Sequence, residues 1–115
     1  MNTYIISKNN SSQFTVSKKQ VHKNKILKTG ILYDKIETSV SSSLILHKNF
    51  SNLSFKSIEF DIIKNAYLND NLIIKNNIKK LSNTEIILQI TVSKKEKKQE
   101  IICKAIFGYH LQKAS

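Results

Sequence analysis

The feature that most constrains this chain is a change of hydrophobic period close to Leu53. Across residues 29–47, Leu32, Ile36, Val40 and Leu44 recur at every fourth position, which places one apolar stripe on one face of a helix. This is the only long helical candidate. Glu37 sits mid-helix beside the stripe, in line with Tyr33 and Ser41 one turn either way, and is expected to point inward. Ser39, Ser41, Ser42 and Ser43 are poor helix formers, but small residues let a backbone come close to whatever packs against it.

Beyond Leu53 the period is two. Lys56, Ile58, Phe60 and Ile62 alternate against Phe55, Ser57, Glu59 and Asp61, a strand of about ten residues. Residues 65–71 hold a turn, residues 72–81 a second strand, and Ser82, Asn83 and Thr84 a tight hairpin connection. Ile86, Leu88, Ile90 and Val92 form an apolar face opposed by Ile87, Gln89 and Thr91. In residues 100–111 the shared face is Ile101, Cys103, Ala105, Phe107, Tyr109 and Leu111. Short links between successive strands require antiparallel pairing.

The part before the helix is less regular. Tyr4, Ile5 and Ile6, and then Gln13 to Val16, carry strand-like signals separated by a polar turn over residues 8–12. Residues 21–28 read as a basic loop leading into the helix, with Thr29 as its cap or first turn, and residues 48–52 end the helix with turn chemistry. The order is strand, helix, four strands. It predicts an α+β chain, one long central helix wrapped by a strongly curved antiparallel sheet of about five strands, with residues 1–115 a single domain. One curved sheet leaves an exposed edge and an open flank, so pairing with a second copy is expected.

Composition narrows the partners. The formal charge is +11, yet all 19 basic residues are lysine and they are scattered except at residues 94–98, which read as a hairpin tip. Sequence-reading sites on nucleic acid favour arginine for its bidentate fork, so no nucleic-acid partner is expected. A positive field would still favour an anionic ligand such as coenzyme A. The lone cysteine, Cys103, lies in an apolar alternation and reads as a buried thiol in a reducing compartment. The N-terminal apolar run is too short for a signal peptide or membrane span, which points to a cytoplasmic protein without a membrane partner. His22, His47 and His110 lack ligand-like spacing, so no metal and no cofactor is expected, and the serines lack a Gly-x-Ser-x-Gly elbow.

Three stretches carry a family likeness. Lys28-Thr29-Gly30, six residues, then Glu37-Thr38-Ser39 resembles the His-Gly-Gly, six residues, Glu or Asp pattern of hotdog-fold acyl-CoA thioesterases, the class that includes 4-hydroxybenzoyl-CoA and phenylacetate-pathway thioesterases. Leu68-Asn69-Asp70 is similar to that family's Gly-Asp corner, with Asn69 in the glycine position, where asparagine best replaces glycine at positive φ. Residues 102–110 are similar to its small-residue strand ending in Gly-Tyr. The likeness covers about residues 13–112.

The resemblance implies a fold, an activity and a site. Glu37 would act as general base or nucleophile on a thioester, with His22 and Ser41 as orienting helpers. Lys28, Thr29, Gly30 and Thr38 would contact substrate, the helix-start N–H groups stabilising the oxyanion. The substrate would be an acyl-CoA or an acyl carrier thioester. The site would form between the helix start of one subunit and the carboxylate of the other, in a homodimer or a dimer of dimers. Only the last glycine of the family's pair is present, and the branched Cβ of Thr29 would crowd an approaching thioester. Two other readings stay open: Glu37 as a solvent-facing helix residue, and a catalytically inactive hotdog that binds acyl-CoA or serves assembly. Gly108 reads as a bulge or close approach in the last strand.

Overall fold

The structure is a computed structural model that describes residues 10–45 and 52–112. Strand β1 (Asn10–Thr15) leads through a short 3-10 turn (Lys18–Gln20) to helix α1 (Thr29–Ile45). Strands β2 (Asn52–Ile62), β3 (Asn71–Leu81), β4 (Glu85–Lys94) and β5 (Ile101–Gln112) follow. They form one antiparallel five-stranded sheet in the order β1-β3-β4-β5-β2, curved and unclosed, with α1 on its concave side. The expected strand at Tyr4 to Ile6, the last helical positions including His47, and the turn after the helix lie outside the described residues.

The two periodicities meet in the core. Leu32, Ile36 and Val40 are buried on the inner face of α1, and Leu44 packs against them half-buried. Facing them are Leu72 and Ile74 of β3, Ile86, Leu88, Ile90 and Val92 of β4, and Cys103, Ala105 and Phe107 of β5, all at most 2% exposed. Ser39 and Ser43 are also buried, so the small residues do let the helix sit close to the sheet. Cys103 is fully buried, and burial, with Asp61 beside it, pushes its thiol up to about 12. It fills space and is no nucleophile.

Three local readings need correction. Residues 10–12 belong to β1, paired with β3, and are not a turn; the edge of β3 supplies hydrogen bonds that the polar side chains could not announce. Residues 21–28 are a tight hairpin rather than an irregular loop: Val21 bridges Leu27, and the His22 N–H donates to the Ile26 carbonyl at 2.9 Å. Lys25 takes φ 69° at its tip. In β2 a bulge at Lys56 shifts the register, so Phe55 faces the concave side with Ile58 and Phe60 instead of the outer face. Gly108 lies opposite that bulge, where a Cβ would come within 2.9 Å of Ser57 Oγ, in line with its expected close approach.

Asn69 has φ 74°, as its place in the Leu68-Asn69-Asp70 corner implied. Its N–H donates to the Val16 carbonyl at 2.9 Å, and Asp70 closes the same turn by accepting from the Tyr67 N–H at 2.8 Å. Asn69→Gly is expected to hold or raise the melting temperature, whereas Asn69→Ala should lose about 1 kcal/mol, the usual scale of a left-handed penalty. Equal unfolding midpoints for the two variants would contradict this account.

On the convex face Glu85 accepts from Lys80 Nζ at 2.7 Å and Lys56 Nζ at 2.9 Å. The bond from Lys80, then that from Lys56, holds its carboxyl down at about 2 against an ordinary 4.5. A depressed carboxyl contributes stability that is complete above its unfolded value and is lost as pH falls through the folded one. Glu85→Gln should therefore flatten the fall of melting temperature between pH 4.5 and about 2. Thermal melts across that window check it.

Candidate active site

Helix α1 lies chiefly over β1, β3 and β4, so the β5–β2 half of the sheet extends past it. That half carries Phe55, Ile58 and Phe60 of β2 and Tyr109 of β5 on its concave side. Tyr33 of α1 meets Phe60 edge-to-face with ring centroids 5.7 Å apart, and Phe55 meets Tyr109 the same way at 5.9 Å. Phe55 is 58% exposed, a large apolar ring that the described residues cover only in part.

Glu37 lies one turn beyond Tyr33 and close enough to Tyr109 for its charge to act on the phenol. It is exposed, which corrects the expected inward carboxylate: Ile36 takes the inward position, and one step along the helix turns the next side chain about 100° away. Burial, and after it the charges of Glu37 and of an ionised Tyr33 phenol, push the Tyr109 phenol up, so it stays a neutral hydrogen-bonding group. Ser41 is exposed one turn beyond Glu37. Thr38 turns to the other flank, where with Ser39, Ser42, Lys35, Gln13 and Phe14 it lines a cavity of about 220 Å³ between α1 and β1.

The helix start forms a separate place. His22 and Thr29 line a cavity of about 90 Å³ together with Ile62, Lys64, Asn65 and Ile102. Lys28 and Gly30 are exposed beside it, and a Cβ added at Gly30 would meet nothing within 4 Å. The first helical bond runs from the Leu32 N–H to the Lys28 carbonyl at 3.1 Å, so the N–H groups of Thr29, Gly30 and Ile31 precede the ladder and have no intrahelical acceptor. Glu37 is eight residues further on, about 12 Å along the axis at the helical rise. Carboxylate and helix start of one chain therefore do not converge on one carbonyl.

The structure thus brings His22 together with Thr29 and leaves Glu37 with neither. Sequence reading missed the aromatic wall beside Glu37, because the bulge at Lys56 hides the side on which Phe55 falls. Tyr33 was visible there in line with Glu37, and Tyr109 as a member of an apolar strand face, without a hint that both border one aromatic wall. Lys64 and Asn65 carried no signal. Among the described residues no group of three or more His, Cys, Asp and Glu side chains could hold a metal ion, and no helix is long and apolar enough to cross a membrane.

One long helix on a curved antiparallel sheet of this strand order is the hotdog fold, and several solved structures with this fold to which the chain is similar are named as thioesterases. A hypothetical thioesterase from Streptococcus pneumoniae TIGR4, solved with coenzyme A, superposes at TM-score 0.76 with 15% identity over 92% of this chain and 80% of that one. The smu.793 protein from Streptococcus mutans UA159, bound to acetyl CoA, gives 0.77 and 16% over 92% and 82%. Zebra fish thioesterase superfamily member 2 gives 0.80 and 10% over 91% and 75%. At such identities the likeness carries the backbone and leaves the side chains to be argued from this chain. No protein-family model matches the sequence, and no curated protein does.

Proposed function

We propose that this chain is an acyl-CoA thioesterase that works as at least a homodimer, with Glu37 as its base or nucleophile. The observation that carries the proposal is an exposed Glu37 on a helix flank close to an aromatic wall that the described residues leave partly open. A second copy laid against the β5–β2 half would cover Phe55 and desolvate Glu37. It would also bring a second helix start towards that carboxylate. Glu37 then takes a proton from water as the water oxygen attacks the thioester carbon. The backbone N–H groups at Thr29 and Gly30 receive the oxyanion, the C–S bond breaks, and the proton passes to the departing thiolate. Alternatively, the Glu37 carboxylate attacks the thioester carbon, the C–S bond breaks with departure of the coenzyme thiolate, and water then hydrolyses the resulting anhydride to free the acid and the Glu37 carboxylate, its proton going to the thiolate. His22 orients a reactant at the helix start, Ser41 assists Glu37, and Lys28 contacts the substrate, whereas Thr38, on the opposite flank of α1, has no part in this site.

Two of the fold's neighbours hold coenzyme A or acetyl CoA, which supports this ligand class here. The site residues lie on exposed surface that a carrier or coenzyme can reach from solvent. A panel of acyl-CoA thioesters read by release of free thiol tests the activity: turnover that saturates with one of them is the expected result, and none across the panel would refute it. Sedimentation at micromolar concentration is expected to show a dimer or tetramer; a monomer would remove both the shared site and the mechanism.

The second reading is a hotdog that binds acyl-CoA without hydrolysing it. It is favoured by one feature, the β-branched Thr29 where the family pattern has glycine. Binding of an acyl-CoA without thiol release would select it.

A further inference from the structure

Strand β3 carries one residue that its hydrophobic pattern does not call for. Asn76 lies on the concave face between Ile74 and Ile78, in register with Ile90 of β4, and is 2% exposed. Its Nδ2 donates to Ser39 Oγ of α1 at 2.8 Å, and Ser39 is itself only 9% exposed. The other end of the amide, Oδ1, is buried with no partner among the described residues. A valine here would suit the pleated strand and leave no acceptor unsatisfied, so the asparagine lowers stability.

What the amide supplies is direction. Leu32, Ile36 and Val40 attach the helix by aliphatic contacts, which are non-directional and tolerate a helix rocking about its axis. A buried N–H···O bond does not tolerate it, because any other rotation leaves both amide ends and the hydroxyl unpaired in a low-dielectric interior. Ser39 is two residues beyond Glu37, about 200° round the helix. Holding Ser39 against the sheet holds Glu37 on the flank beside Tyr33 and Tyr109. We infer that Asn76 is a positioning residue: through Ser39 it sets the rotation of α1 on the sheet and so the direction in which Glu37 faces. Its effect on turnover rests on the thioesterase reading above; its effect on the helix does not.

The test compares the full chain with Asn76→Val and with Asn76→Val combined with Ser39→Ala, at one protein concentration. Asn76→Val should keep or raise the melting temperature. Amide hydrogen exchange in residues 32–44 should speed up several-fold while that of β4 stays as in the parent. With an acyl-CoA that the parent hydrolyses, kcat should fall roughly 10-fold or more with KM little changed, the scale of a misplaced catalytic group. Adding Ser39→Ala should change kcat no further, since the two side chains act as one unit. A lower melting temperature or failure to fold would make Asn76 an ordinary stabilising core residue and overturn the inference. So would helix exchange and kcat that stay unchanged. If the parent hydrolyses no acyl-CoA, the proposed function fails, and the exchange measurement alone decides: faster α1 exchange at an undiminished melting temperature upholds the positioning role, and unchanged exchange overturns it.

Discussion

Replacing Glu37 by glutamine is expected to lower kcat for acyl-CoA hydrolysis by roughly 10²-fold or more, the scale of general-base catalysis. The substitution keeps the side chain's volume and hydrogen-bonding reach while removing the group that accepts a proton or attacks. Glu37 is exposed on its own chain, so the melting temperature should stay that of the parent. Two companion substitutions separate the roles at the helix start. Thr29→Gly should leave turnover equal or higher, by removing a branched Cβ beside the helix-start N–H groups. His22→Ala should impair turnover less than Glu37→Gln, because His22 orients a reactant and does not take its proton. Steady-state kinetics with thiol release measure all three. Full activity in a folded Glu37→Gln protein would refute the mechanism, whatever the other two variants do.

Ile36→Ala is expected to lose about 2–5 kcal/mol of stability, against about 0.5–1.5 kcal/mol for Ile36→Val. Ile36 is the central residue of the row Leu32, Ile36, Val40 and is fully buried against the sheet. Cutting it back removes apolar contact and leaves a cavity between two rigid layers that cannot close on it. Domains of this kind are stable by only about 5–15 kcal/mol, so the alanine variant should sit close to the edge of folding. Asp34→Ala, on an exposed position of the same helix, is the control and should stay within about 0.5 kcal/mol of the parent. Denaturant midpoints with an unchanged slope, all at one protein concentration, provide the comparison. Equal losses at positions 34 and 36 would mean that the helix does not dock through this row.

Much of the backbone could be read from the chain because its periodicities are local. Leu32, Ile36 and Val40 reach the core as their spacing predicts, as do Ile86, Leu88, Ile90 and Val92. Asn69 takes the positive φ that its place before Asp70 called for. Polar residues were harder, because the same side chain can face water or a buried partner. Asn76 stands in a run with Lys75 and Asn77 that looks solvated, and only the register of β3 against β4 turns it inward to Ser39. The serines split likewise: Ser39 and Ser43 are buried, while Ser41 and Ser42 are exposed. Lys25 was unreadable for a different reason, since the hairpin that sets its φ depends on Val21 and Leu27 meeting across it.

By itself the sequence determined the element types, their order and the antiparallel pairing of β3 with β4 and of β4 with β5, because hydrophobic period and connection length act between near neighbours; the short link from β2 to β3 makes no hairpin, since β2 pairs with β5 and β3 with β1. It also carried the spacing from Gly30 to Glu37 and the position of Asn69. Only the tertiary structure decided that Glu37 faces outward, close to Tyr33 and Tyr109, and that Phe55 joins that wall. Those outcomes hang on a one-residue bulge at Lys56, on how far α1 covers the sheet and on one buried hydrogen bond between Asn76 and Ser39. Each depends on contacts between residues distant along the chain, which no local pattern encodes.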